Sequence, residues 1–150
     1  MGSYLVVMDG TEEARIALRY AARQAALSGG AVDMLAVVTP QEFVQWGAVQ
    51  EAMEEEARLR AEAMLLEAAD SIVEEAGLRP SVIVKHGEPV KTVAELLKER
   101  GDITALVLAT GESGPGPLVS HFSGAAAGGL PCPLIIVPAK LRDEALARAT

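Results

Sequence analysis

Apolar residues along the chain fall into five short continuous runs, each bounded by glycine, proline or polar residues. Runs of about four to eight apolar residues are typical of strands that are buried on both faces of a sheet. The predicted strands are Tyr4–Met8, Ala31–Val38, Ser81–Lys85, Ile103–Ala109 and Leu134–Val137. Because these runs are almost entirely aliphatic, the sequence predicts a sheet that is covered on both sides.

Between the runs, apolar residues recur every three to four positions, which is the spacing of a helix with one buried face. Thr11 suits the N-cap of a first helix, and Gly29 and Gly30 end that helix. A long second helix is predicted over residues 48–76, and the apolar spacing from Val90 onward predicts a third. Each predicted helix therefore connects two predicted strands.

The last third of the chain is less regular. Glycines and prolines alternate in the sequence TGESGPGP, so residues 110–117 are predicted to form an irregular loop. A short fourth helix is predicted over residues 118–128, although its glycines weaken it. Residues 1–140 are predicted to form one domain, with residues 141–150 as a C-terminal tail of helical composition.

Strands that alternate with helices predict an α/β fold with a parallel sheet, because parallel strands need crossover connections. These crossovers are expected to be right-handed, which places helices on both faces of the sheet. A doubly wound sheet of five strands usually has the order 2-1-3-4-5 or 3-2-1-4-5. The hydrophobic pattern does not choose between these two orders.

Charge and cysteine content exclude several classes of function. The 150 residues carry 13 basic and 21 acidic side chains, a net charge of −8, which disfavours binding to nucleic acid or to an anionic membrane surface. No apolar stretch approaches the length of a membrane span. The single cysteine, Cys132, excludes an internal disulfide and suits a reducing cytoplasm, so the sequence predicts a cytoplasmic protein.

Few residues suit catalysis. Neither His86 nor His121 belongs to a metal-binding spacing, and the GxSxG motif of serine hydrolases is absent. Cys132, between two prolines, is predicted to be a small buried apolar residue rather than a reactive thiol. Phe43 and Trp46 could cover a ligand or a partner, although such residues more often cap the core. The sequence therefore predicts no catalytic residues, no metal site and no enzyme.

A ligand site is expected outside the carboxyl ends of the strands. Asp9 follows the first strand directly, where its carboxylate could accept hydrogen bonds from ribose hydroxyls or an adenine amino group, or serve only as a turn residue. The TGESG segment offers backbone N–H groups for phosphate oxygens, but it contains Glu112 and has no Lys or Arg nearby. The common P-loop and GxGxxG fingerprints are absent.

An ordered set of segments resembles the universal stress protein family. These segments are YLVVMDGTEEARIALRYAA, LAVVTP, GEPVKTVAELLKERG, ITALVLATG and LPCPLIIVPA. The resemblance spans about residues 3–138. It implies a five-stranded parallel sheet in the order 3-2-1-4-5, so it selects one of the two orders that the pattern leaves open.

The resemblance also implies a ligand. In members that bind ATP, an acid after the first strand and a backbone valine near the end of the second hold the adenosine, which here implies Asp9 and Val37. The loop after the fourth strand, of the form GxxGx9G(S/T), holds the phosphates. The implied cofactor is ATP with Mg, or none if the loop has lost its function.

Two registers fit this loop. Counting forward gives Gly111, Gly114, Gly124 and then Ala125, which replaces the expected Ser or Thr. Counting backward from the fifth strand instead places Ser120 and His121 at the final pair of the motif. In both registers Pro115 stands where the family commonly has a basic residue, and prolines remove hydrogen-bond donors.

Three functions remain open. The first is a non-catalytic stress-response module that binds an adenine nucleotide and forms a homodimer through the edge strand Leu134–Val137, as family members commonly do. The second is an interaction protein that has lost the nucleotide. The third, a slow ATPase or a flavodoxin-like redox protein, is the least favoured. Against the redox protein, aromatic residues make up only 3% of the chain, which is few for enclosing a flavin ring.

Overall fold

The computed structural model describes residues 2–40 and 47–141. Its elements in chain order are β1 (Ser3–Val7), α1 (Glu12–Ser28), β2 (Ala31–Val38), α2 (Gly47–Ala76), β3 (Ser81–His86), α3 (Pro89–Glu99), β4 (Ile103–Thr110), α4 (Gly116–Ser123) and β5 (Leu134–Pro138). The five predicted strands are confirmed, with ends that differ by at most one residue. The interpretations of Phe43, Trp46 and the tail beyond residue 141 lie outside the described residues.

The strands form one parallel sheet in the order β3-β2-β1-β4-β5. Val7 lies opposite Leu35 of β2, and Val6 lies opposite Val107 of β4, so β1 is central. The α/β class and the 3-2-1-4-5 order are therefore both confirmed. Because the chain winds first to one side of β1 and then to the other, the order reverses between β1 and β4.

Neighbouring residues of the central strands face opposite sides of the sheet, and each side has its own core. Val6, Met34 and Val107 pack under α1 and α2. Leu5, Leu35 and Leu106 pack under α3 and α4. Helix α1 buries only small residues apart from one leucine, so it lies close to the sheet. The buried residues of α1 are Ala14, Ala17, Leu18, Ala21, Ala22 and Ala25.

The segment after β4 differs from the sequence prediction in two respects. Helix α4 begins at Gly116, so two residues assigned to an irregular loop are helical, because a proline in the first turn has a φ that suits a helix. The helix ends at Ser123 rather than near residue 128, because Gly124 leaves the helical region with φ −90° and ψ −137°. A short 3₁₀ helix, Ala125–Gly129, follows.

The amino-terminal edge of the sheet contains a buried polar network that the hydrophobic pattern did not predict. Asp33 of β2 is only 6% exposed, and its Oδ2 accepts hydrogen bonds from Ser3 Oγ at 2.6 Å and from an Arg100 guanidinium nitrogen at 2.8 Å. Arg100 also forms a two-point contact with Asp102, at 2.7 and 2.8 Å. The network joins β1, β2 and the connection from α3 to β4.

Candidate functional site

A cleft of about 350 Å³ opens at the carboxyl edge of the sheet, where the strand order reverses. Its floor is formed by the ends of three strands, and one wall is formed by the start of α4. The lining residues are Val7, Met8, Asp9, Ala14, Val37, Pro89, Leu108, Ala109, Pro115, Gly116, Pro117, Leu118 and Val119. An apolar cleft with a few polar groups at the switch point of a parallel sheet is the expected position of a ligand site.

Asp9 is held in place by the residues that start α1. Its Oδ1 accepts hydrogen bonds from the Thr11 backbone N–H at 3.1 Å and from Thr11 Oγ1 at 2.5 Å. Thr11 Oγ1 in turn accepts from the Ala14 N–H at 3.2 Å and so caps the helix, as predicted. Among the described residues, Asp9 Oδ2 has no hydrogen-bond partner, so this oxygen is available to a ligand in the cleft.

Val37 presents backbone groups to the same cleft. The hydrogen bonds between β1 and β2 end where Met8 N–H donates to the Leu35 carbonyl at 2.7 Å. Alternate residues of a strand direct their N–H and C=O groups to the same side, so those of Val37 point beyond the end of β1. Val38 faces the other way, and its carbonyl accepts from Gly87 N–H at 3.0 Å. Val37 thus offers a donor and an acceptor beside Asp9.

Gly111 and Gly114 lie outside the cleft lining, in a tight turn of their own. Gly114 N–H donates to the Gly111 carbonyl at 3.4 Å, and the φ of +153° at Gly114 favours glycine. The carboxylate of Glu13 in α1 packs against Gly111, where a Cβ would lie 2.7 Å from Glu13 Oε2. The turn is therefore packed against an acidic side chain.

The remaining predicted site residues also lie outside the cleft. Ser120, His121, Gly124 and Ala125 are exposed residues at the end of α4 or just after it. The His121 ring packs edge to face against Phe122, with ring centroids 4.9 Å apart. The cleft lining thus includes Asp9 and Val37 and none of the other six residues.

His121 interacts electrostatically with the start of α3. The pKa of Glu88, the N-cap of α3, is lowered mainly by hydrogen bonds from the Lys91 and Val90 backbone N–H groups. The positive charge of His121 makes a smaller contribution in the same direction.

Three prolines of the cleft wall were not predicted as site residues. Pro89 begins α3, and Pro115 and Pro117 flank the start of α4. Their positions follow from the packing of α3 and α4 over one face of the sheet, which the local sequence does not specify. Within residues 2–40 and 47–141, no three His, Cys, Asp or Glu side chains are grouped so as to hold a metal ion.

A second cavity, of about 290 Å³, lies between the end of β2 and the first half of α2. Four of its polar side chains already pair with one another, since Gln50 donates to Glu54 at 3.3 Å and Arg60 to Glu56 at 2.8 Å. It also lies away from the switch point. The cleft beside Asp9 is therefore the better candidate site.

The sheet order and the cleft at its switch point define a doubly wound α/β domain. The chain belongs to the universal stress protein family, whose sequence model matches residues 2–138, so the resemblance seen in the sequence is confirmed. No curated protein sequence gives a significant match. Among the helices of the described residues, none has both the length and the apolar character needed to cross a bilayer.

Solved structures of this family share the fold. The universal stress protein UspA from Lactobacillus plantarum superposes with a TM-score of 0.77 at 19% identity, covering 91% of this chain and 97% of that one. The universal stress protein from Archaeoglobus fulgidus in complex with dAMP superposes with a TM-score of 0.59 at 20% identity, covering 91% of this chain and 97% of that one. A universal stress protein in complex with cAMP superposes with a TM-score of 0.63 at 20% identity, covering 91% of this chain and 96% of that one.

Proposed function

We propose that this protein is a non-catalytic, cytoplasmic stress-response module that binds an adenine nucleotide in the cleft beside Asp9 and acts as a homodimer. The observation that carries the proposal is the pairing of a free carboxylate oxygen on Asp9 with the backbone N–H and C=O of Val37 across one apolar cleft. A carboxylate suits ribose hydroxyls, and a backbone donor and acceptor suit the edge of adenine.

The relatives support the choice of an adenine ligand. One structural neighbour is described in complex with cAMP and another in complex with dAMP. The volume of about 350 Å³ falls within the usual range for a small-molecule site. Leu108, Ala109 and Pro89 supply apolar surface on which a purine ring can pack.

Titration calorimetry with adenosine and AMP tests the site, with Asp9→Asn as the informative variant. The amide keeps an oxygen that can accept from Thr11, but it replaces Oδ2 with an N–H₂ donor that cannot accept from ribose. Loss of a hydrogen bond to a charged group costs about 1.5–3 kcal/mol, which corresponds to roughly 10- to 150-fold weaker binding.

A matched control is Glu95→Gln, which removes one charge on the exposed face of α3. We expect wild-type affinity for this variant. If the wild type shows no saturable binding, or if Asp9→Asn binds as well as the wild type, the assignment of the cleft is wrong.

The homodimer is proposed through β5. This strand is the edge of the sheet next to β4, and its Ile136 is 41% exposed, which leaves an apolar side chain and unpaired backbone groups at the edge. Two copies of β5 that meet antiparallel across a twofold axis would cover both.

Sedimentation analysis tests the dimer with Ile136→Lys. A charge at the centre of an apolar strand pair is expected to give a monomer, whereas the wild type is expected to sediment as a dimer. Leu27→Lys is the control, because Leu27 is also an exposed apolar residue, near the end of α1 and outside the strand β5. If the Ile136→Lys variant is still a dimer, the interface does not lie at β5.

A further inference from the structure

The wall of the cleft at the start of α4 is poor in hydrogen-bond donors. The first N–H groups of a helix, from the N-cap to the third helical residue, have no partner within the helix and are the usual donors to phosphate. In α4 these positions are Pro115, Gly116, Pro117 and Leu118. Because proline has no N–H, only Gly116 and Leu118 retain a donor.

Acidic side chains lie just behind this wall. The turn from Gly111 to Gly114 leads directly into Pro115, and the Glu13 carboxylate packs against it. A separate open cavity beside the turn is lined in part by Glu12, Glu13 and Glu112. No Lys or Arg belongs to the described lining of either this cavity or the cleft.

These two observations act in the same direction on a phosphate chain. A single phosphate next to the ribose can use the two remaining N–H groups of α4. A second or third phosphate would extend toward the turn, where it meets carboxylates and finds no cation. At about 4 Å in water, each pair of like charges weakens binding roughly fivefold.

We propose that the cleft is selective for an adenine nucleoside or nucleoside monophosphate, and that Pro115, Pro117, Glu13 and Glu112 weaken the binding of ADP and ATP. This proposal rests on the adenine site proposed above and specifies its ligand. It also means that the residues present do not fit ATP with Mg as the bound cofactor.

Calorimetric titration of the full chain with adenosine, AMP, ADP and ATP tests the selectivity, with excess Mg²⁺ and again with a chelator. Adenosine and AMP are expected to bind with affinities within about threefold of each other, because the N–H groups of Gly116 and Leu118 remain. ATP is expected to bind at least about 25-fold more weakly than AMP in both buffers, because two like-charge pairs each weaken binding roughly fivefold.

The ATP and adenosine titrations are repeated at about 0.1 M and about 1 M salt, which shortens the screening length from about 10 Å to about 3 Å. Screening weakens the repulsion between phosphate and carboxylate groups. Affinity for ATP relative to adenosine should rise with salt. An ordinary basic phosphate site would show the opposite trend.

The double variant Glu13→Gln, Glu112→Gln assigns the effect to these acids. It should strengthen ATP binding about 25-fold, roughly fivefold for each carboxylate removed, while leaving adenosine binding unchanged. The matched control is Glu95→Gln, Glu99→Gln, which removes the same net charge from exposed positions on α3. The control should leave the ratio of ATP to adenosine affinity unchanged.

The outcomes separate the two proposals. If none of the four ligands binds, the adenine site itself is refuted and the selectivity with it. If ATP binds as tightly as AMP in either buffer, the site stands and the selectivity is overturned. If the double variant and its control change the ratio equally, net charge rather than Glu13 and Glu112 sets the preference, which overturns their assignment.

Discussion

The buried network at the amino-terminal edge gives a quantitative test of how the sheet is held together. Asp33 is almost fully buried, and the Arg100 side chain beside it is 31% exposed. Replacing Arg100 with Met keeps much of the apolar stem but leaves the Asp33 carboxylate, among the residues that the structure describes, with only the Ser3 hydroxyl as a partner. Removing one partner of a fully buried ion pair costs about 3–5 kcal/mol.

The partial exposure of Arg100 lowers that figure, because water can replace part of the lost contact. A hydrogen bond to a charged group is worth about 1.5–3 kcal/mol, so we expect Arg100→Met to reduce the free energy of unfolding by about 2–3 kcal/mol. The neighbouring pair with Asp102 adds little, since that carboxylate is exposed.

Urea unfolding followed by far-UV circular dichroism measures the effect. Arg79→Met is the control, because Arg79 pairs with Asp70 at 2.9 Å on the surface, where both side chains are mostly exposed. The control should change the free energy of unfolding by at most about 0.5 kcal/mol. Equal losses for the two variants would refute the argument that burial of Asp33 makes the Arg100 contact important.

Two further predictions concern the core and a helix cap. Leu65 in α2 is fully buried, so Leu65→Ala should lower the free energy of unfolding in urea by about 2–5 kcal/mol. Leu66 is 51% exposed, so Leu66→Ala should change it by at most about 1 kcal/mol, and similar losses for the two variants would contradict the packing described. Glu88 has a lowered pKa in the folded state, so its stabilisation is present above the ordinary glutamate pKa and is lost as pH falls through the lowered value. Glu88→Gln should therefore reduce the loss of stability on acidification from about pH 5 to pH 3, and an unchanged pH profile would contradict this assignment.

The sequence was sufficient to predict the strands and the central helices because their apolar periodicity is strong. It did not determine the strand order, since the hydrophobic pattern is the same for both doubly wound arrangements, and the family resemblance supplied it. The pattern also did not predict the buried ion pair of Asp33, because its partner Arg100 lies 67 residues away in sequence. Long-range pairing of this kind leaves no local periodic signal.

The candidate site was only partly accessible to sequence reasoning. Asp9 and Val37 lie at strand ends, and the topology of a parallel sheet brings such ends together, so their proximity could be expected. The glycine motif is defined only by spacing along the chain. The position of α4 depends instead on how Val119 and Phe122 pack against the sheet. That packing places Pro115 and Pro117 in the cleft wall and directs the end of α4 away from it.

The two ends of the cleft are therefore under different physical constraints. Asp9 and Val37 are positioned by the central strands, so any sequence that forms this sheet has a residue at the end of β1 and another near the end of β2. The turn after β4 contributes no buried residue to the core between Gly111 and Pro117, so its composition can change without loss of the fold. Gly111 and Glu13 form a packed pair in this turn, and a side chain at one requires movement of the other. It follows that the sheet fixes the positions of Asp9 and Val37 at one end of the cleft, whereas the other end depends on the particular residues of the turn after β4 in this chain.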